Sequence, residues 1–468
     1  MDVKKKIEAY LEAHREEMVK DICTLCRIDS CRSAYQEGKP FGEGPWRALG
    51  QALAMAERYG FSIENHDNFV GTADLNEKER GLDILAHLDV VPPGEGWTVT
   101  EPFEPLVKDG VIYGRGTADD KGPAVAVLYA MRAIRDLEIP LAKNVRLILG
   151  TDEECGGEDI AHYYDEEPEA PMTLTPDSEF PVVNIEKGRL RGHFSAEYEA
   201  CGDLPRILSL TGGEEINVVP GTAKARIQGL DEDTAREACL LAQEKTGVSF
   251  EILATQEGLE ITAHGEVAHA SSPAQGKNAL TALLFLLCSL PLAGCGLLRC
   301  LRGLADCFPW DDTDGSGLGV AMSEERSGSL TAVLSLLEAN ETHLEGSFDI
   351  RYPLCGTEEN LRLPVQKRLR EAGLTPDENP LNPPHFVDGD SAFIRTILRA
   401  YETCTGKPGK CLYTGGGTYV HHVKNGVAFG AAMPGVDNRI HGTDEFARID
   451  ELLLTARIYA QAIVDLCS

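Results

Sequence analysis

Three consecutive stretches constrain the fold of this chain more than any other feature: GLDILAHLDVV (Gly81–Val91), GPAVAVLYAMRAIRDL (Gly122–Leu137) and NVRLILGTDEE (Asn144–Glu154). The first and third are short, apolar and rich in β-branched residues, the pattern of strands buried on both faces. The middle one repeats its apolar residues at helical spacing and carries Pro123 in its first turn, where a missing N–H costs nothing. Strand, helix, strand in this order predicts an α/β domain, with a largely parallel sheet and helices on both faces. In such sheets ligands bind beyond the carboxyl ends of the strands. Those are the ends at which His87, Asp89, Glu153 and Glu154 stand.

Between about Gly192 and Pro380 the character changes. GTAKARIQGL, FEILATQEGLEITAHG and HLEGSFDIRYPL alternate in the manner of antiparallel strands, with helical patterns between them. After HFVDGDSAFIRTILRAYETCTG the α/β character returns. At 468 residues the chain exceeds one ordinary core, and a domain interrupted by an insertion explains this order better than two domains in series. The stretch from Ala279 to Leu298 is uncharged and about as long as a bilayer span. Pro291, Gly294 and Gly296 interrupt it, which predicts a buried helix ending near Ser289. Ile7, Tyr10, Leu11, Met18 and Ile22 predict an amphipathic surface helix at the N-terminus rather than a secretory leader.

The net charge of −31 disfavours nucleic acid and anionic membranes as partners. Fourteen cysteines without paired spacing suggest reduced thiols and a cytoplasmic protein. Cys23 and Cys26 form a C-x-x-C with no second pair, so packing is the expected role. DDTDGSG (Asp311–Gly317) has the look of a calcium loop, but Trp310 and Ala321 stand where acidic ligands are needed.

The polar residues at the strand ends carry the chemistry. His87 and Asp89 lie two apart, hence on one face of a strand. Asp119 and Asp120 adjoin a helix start, where capping needs only one of them. Glu153 and Glu154 are adjacent, so their side chains diverge. Asp177 follows another apolar run, and His441 sits in the glycine-bearing loop MPGVDNRIHGTDEF. His87, one of the Asp119–Asp120 pair, Glu154, Asp177 and His441 suit two divalent cations. With one carboxylate shared, His87 and Asp177 would complete one site, and Glu154 and His441 the other. Asp89 would then orient His87, and Glu153 would remain as general base.

The order H-x-D, D-D-K-G, E-E, a lone Asp and a late His resembles that of the dinuclear-zinc amidohydrolases: aminoacylases, desuccinylases, tripeptidases and glutamate-type carboxypeptidases. GEGWTVTEPFEPLVKDGVIYGRGTADDKGP, GGEEINVVPGTAKARI, AHASSPAQGKNA and GGGTY are similar to the dipeptidase V-like (Xaa-His dipeptidase) branch. The resemblance implies a catalytic domain of residues 1–187 and 381–468, with an inserted α+β lid at 188–380. It implies that Asp119 bridges two metal ions, zinc with manganese or cobalt as alternatives, and that the Asp119–Asp120 peptide is cis. It implies that His269 stabilises the oxyanion, that Asn217 adds a polar contact, and that Arg351 with the Gly416 backbone holds a substrate carboxylate. Dipeptide hydrolysis by a metal-activated water, in a monomer, is the expected function. The alternatives are deacylation or desuccinylation of amino acids and a non-catalytic peptide-binding relative. Where relatives often carry arginine after this tyrosine motif, the chain has Val420, His421 and His422.

Overall fold

The computed structural model describes residues 3–468, which form two compact units. The first comprises Met1–Ile185, Phe386–Leu412 and Gly417–Ser468; the second comprises Glu186–His385 and Tyr413–Gly416.

The first unit is built on a sheet whose strands follow the order Ser62–His66, Val70–Asp74, Asn144–Gly150, Arg80–His87, Thr173–Thr175, Gly426–Ala428, Val182–Glu186. Its centre is parallel: Arg80–His87 runs parallel to both neighbours, and Gly426–Ala428 runs parallel to Thr173–Thr175. Its margins are antiparallel. The central strands are buried on both faces, which is why they read as continuous apolar runs. Ile84 and Leu147 join one core, while Leu85 and Ile148 point to the other. Helices Glu43–Arg58, Lys121–Asp136, Ala392–Thr405 and Ile449–Cys467 contribute to the larger core. Helix Glu158–Glu166 covers the opposite face through Ile160 and Tyr163.

The N-terminal amphipathic stretch forms two helices, Val3–Ala13 and Arg15–Cys26, broken at His14. There the imidazole stacks on Tyr10 and its Nδ1 lies 2.8 Å from the Tyr10 carbonyl. Ile7, Leu11, Met18 and Ile22 are buried in the larger core, so these helices are structural parts of the domain rather than a surface appendage.

The second unit is an antiparallel sheet in the order Ser249–Thr255, Gly258–His264, Thr222–Gln228, Arg206–Gly212, Thr331–Asn340, His343–Tyr352, Gly188–Glu197, Thr375–Pro376. Its own core takes in Leu280, Leu283, Leu286, Leu301, Leu304, Val365 and Leu369 from helices Ala279–Ser289, Gly296–Cys307 and Leu363–Glu371. The uncharged stretch thus ends its helix at Ser289. Among the described residues no helix is long and apolar enough to cross a membrane.

Candidate metal centre

The parallel centre of the first sheet brings three ligand-bearing segments to one end. His87 is the last residue of its strand and pairs with Gly150, the last residue of the neighbouring one. Glu153 and Glu154 follow Gly150 in a short 3₁₀ turn, and Asp177 follows Thr175 on the other side. Asp119 and Asp120 precede helix Lys121–Asp136, joined by a cis peptide.

Asp119 lies at the middle of the cluster. Its Oδ1 is 3.0 Å from His87 Nε2, and its Oδ2 is 2.9 Å from His441 Nε2. His441 Nε2 is also 3.0 Å from Glu154 Oε1, and His87 Nε2 is 3.9 Å from Asp177 Oδ2. Each oxygen of one carboxylate therefore faces a different histidine, each with its own further carboxylate. Tetrahedral coordination at about 2.0–2.1 Å separates ligand atoms by roughly 3.3 Å, the range of these contacts. Ligand atoms of His87, Asp119 and Glu154, and likewise of His87, Glu153 and Asp177, fall within 4.8 Å of one another.

The electrostatics call for cations. Burial, reinforced by neighbouring carboxylates, drives the carboxyls of Glu153, Asp177 and Asp120 well above their ordinary range. Partial desolvation works against the charged imidazole of His441, whose side chain stays half exposed, but Asp119 and Glu154 outweigh it and raise its pKa to about 11. His87 moves up for the same reason, through Asp119 and Asp89. A buried group of carboxylates held by two histidines is the donor chemistry of divalent transition-metal sites, and the residues fit such ions.

Asp89 has a wider role than aiming one ring. The His87 Nδ1 lies 3.0 Å from the Asp89 backbone carbonyl and 3.5 Å from its carboxylate. An Nδ1–H donated to that carbonyl leaves Nε2 as the ligand atom. The carboxylate instead accepts the backbone N–H groups of Glu153, at 3.1 Å, and Glu154, at 3.0 Å. It thereby ties the Glu153–Glu154 turn to the histidine strand. Asp120, the residue before the helix, accepts from the His87 backbone N–H at 3.2 Å rather than capping the helix.

The remaining expected residues belong to the second unit. Asn217 and His269 lie on adjoining segments: the Ala270 N–H donates to the Asn217 carbonyl at 2.8 Å, and Ser271 Oγ holds His269 Nδ1 at 2.7 Å. Arg351 is buried. Its Nε and Nη2 fork onto Asp349 at 2.6 and 2.9 Å, and its Nη1 donates to the Gly415 carbonyl at 2.7 Å, next to Gly416. Arg191 shares the same Asp349 carboxylate. Arg189 stands opposite Arg351 in the antiparallel register, hence on the same face. Burial, then Arg351 and Arg191, push its guanidinium pKa down.

Sequence reasoning missed Arg115, Asp444, Glu445, Arg189 and Asp349. A charged residue within the glycine turn GRGTADD, and an acidic pair three residues after His441, were the available signals.

A model of peptidase family M20/M25/M40 matches residues 84–465. The chain belongs to this family. It is accordingly a metallopeptidase, and hydrolysis of peptides is its class of reaction. It is 34% identical over 458 residues to a putative dipeptidase of Bacillus subtilis named YtjP, covering 97% of both chains. It is 33% identical over 461 residues to the β-Ala-Xaa dipeptidase of Lactobacillus delbrueckii subsp. lactis, again with 97% of each covered. Human carnosine dipeptidase 1 shares the fold at a TM-score of 0.62 and 15% identity, over 100% of this chain and 99% of that one. The aminoacylhistidine dipeptidase of Vibrio alginolyticus shares it at 0.58 and 14%, over 96% of each.

Proposed function

We propose that this M20 peptidase is a dipeptidase whose site takes two divalent ions, with zinc the first choice and manganese or cobalt the alternatives. The observation that supports the two-ion reading best is Asp119, whose two oxygens face His87 and His441 separately. His87, Asp119 and Asp177 would hold one ion; Asp119, Glu154 and His441 would hold the other. When bound, such ions polarise the scissile carbonyl and acidify the attacking water.

The chain's own residues do the rest. Glu153, left outside both ligand sets, takes the proton of the attacking water and returns it to the leaving amine. Asp89 holds the Glu153 backbone and so fixes where that carboxylate starts. The second unit acts as the lid. His269, steadied by Ser271, donates to the oxyanion, with Asn217 as a further polar contact. Arg351, oriented by Asp349, reads the free carboxylate together with the Gly416 backbone. Arg189 adds positive charge to that face.

Dipeptides are favoured because the Bacillus and Lactobacillus relatives, similar over nearly their full length, are named as a putative dipeptidase and a β-Ala-Xaa dipeptidase. The test is amine release from metal-stripped protein, with and without zinc or manganese. The panel holds α-dipeptides, β-alanyl dipeptides and N-acetyl amino acids. Metal-dependent release from dipeptides alone is expected. Turnover of the acetylated amino acids in preference to every dipeptide would move the assignment to a deacylase.

A further inference from the structure

His441 is the ligand farthest along the chain, and it stands on a loop with little regular structure of its own. Arg439, His441 and Asp444 all adopt positive φ, at 56°, 61° and 56°. For residues other than glycine this left-handed region is strained, so it persists only where surrounding contacts over-determine it. The side chain of His441 is itself 54% exposed. Something other than packing of the ring must hold the loop.

The next residues supply that hold. Glu445 is fully buried, four positions beyond His441. Its Oε1 accepts the N–H groups of Ala118, at 2.9 Å, and of Asp119 itself, at 3.3 Å. Its Oε2 accepts Gly116 N–H at 3.2 Å and Arg115 Nη1 at 2.7 Å. Its neighbour Asp444 reaches a third loop, accepting Thr98 N–H at 2.8 Å, Val99 N–H at 2.9 Å and Thr98 Oγ1 at 2.6 Å. Arg115 closes the arrangement. Buried and lying over the Trp97 ring, it extends Nη2 toward the Pro92 and Pro93 carbonyls in the loop that leaves the His87 strand. Two consecutive carboxylates thus bind the His441 loop to the Asp119 loop and to the segment after His87.

We propose that Asp444 and Glu445 are positioning residues that hold His441 and Asp119 in register, so that uptake of the ion assigned to Glu154 and His441 depends on them. The inference rests on the two-ion reading above. Removing one clamp leaves the His87 and Asp177 side chains and the Asp89 contacts beside them in place, and His87 still faces the shared Asp119 carboxylate, while the His441 loop relaxes toward ordinary backbone angles. One ion should therefore lose affinity and the other keep it. A purely structural role lowers thermal stability without separating the two.

The test is zinc titration into metal-stripped protein against a chromophoric chelator, for wild type, Glu445→Gln and Asp444→Asn. Wild type should take up two equivalents. In the variants one equivalent should stay within about twofold, and the other should lose about tenfold to a hundredfold, the usual effect of removing support behind a ligand. Excess zinc should then restore kcat with KM unchanged. If Glu445→Gln fails to fold, Asp444→Asn gives the same reading through its separate donors. A wild type binding fewer than two equivalents overturns the two-ion reading. With two bound to wild type, equal weakening of both equivalents in a variant overturns the clamp, and so does no weakening of either.

Discussion

Neighbouring carboxylates in this chain take different roles because backbone direction separates them. Glu154 points to His441, while Glu153 has burial and the adjacent negative charge raising its pKa and is proposed to stay outside both ligand sets. Glu153→Gln should keep both metal equivalents and lower kcat by about 10²–10⁴-fold, the usual contribution of a general base. Metal analysis beside steady-state kinetics checks this; wild-type turnover would remove Glu153 from the mechanism. Asp83 shows a different consequence of burial. It is wholly buried, and desolvation raises its carboxyl to about 6 against the pull of Arg80 and the Ala170 N–H. An acid with a folded pKa above its unfolded one favours folding when protonated. That contribution is complete below about pH 4 and is lost as pH rises through about 6. Asp83→Asn should therefore gain on wild type by up to about 3 kcal/mol at pH 8 and by little at pH 4. Thermal unfolding at the two pH values measures it, and an equal difference at both would clear Asp83 of the effect.

Single elements decide where these residues stand. The strand Asn144–Gly150 ends on a glycine because a Cβ there would meet the Tyr419 hydroxyl at 2.0 Å and Asp159 Oδ2 at 2.5 Å. That space lets Tyr419 donate to Asp159, whose carboxylate also takes the Asp152 N–H beneath the glutamate turn. The tyrosine of GGGTY is therefore a support from below, a role invisible in its motif. In the second unit the paired strands Gly188–Glu197 and His343–Tyr352 gather Arg189, Arg191 and Arg351 around Asp349 on one face. If that face reads a free carboxylate, Arg189→Gln should raise KM about tenfold or more for a dipeptide, the scale of one charged hydrogen bond, and leave the dipeptide amide unchanged. Equal effects on acid and amide would assign Arg189 to folding alone.

At the scale of the whole molecule, the assigned metal ligands all lie in the first unit, and each unit has its own core. Chelation should lower one of two calorimetric transitions and leave the other in place, because a ligand stabilises only the unit that binds it. A shift of both transitions together would mean that the units unfold as one. The division into an α/β part and an antiparallel part was legible in the sequence, since strand burial sets residue pattern directly: two-faced burial gives unbroken apolar runs, one-faced burial gives alternation. The strand-end histidine and acids were legible as candidate ligands, because open parallel sheets place ligands at strand ends and the chain has little other reason to put paired acids there. Arg115, Asp444 and Glu445 were not legible, since each acts only through backbone groups of loops distant in sequence, and backbone N–H donors leave no mark in the residue order. Nor was the engagement of Arg351 by Asp349, which depends on side chains two apart sharing a face that other segments bury. The sequence by itself determined which chemistry the chain carries and at which strand ends. Only the tertiary structure decided which carboxylates face the histidines and which hold the loops, because that choice depends on how loops far apart in the chain meet.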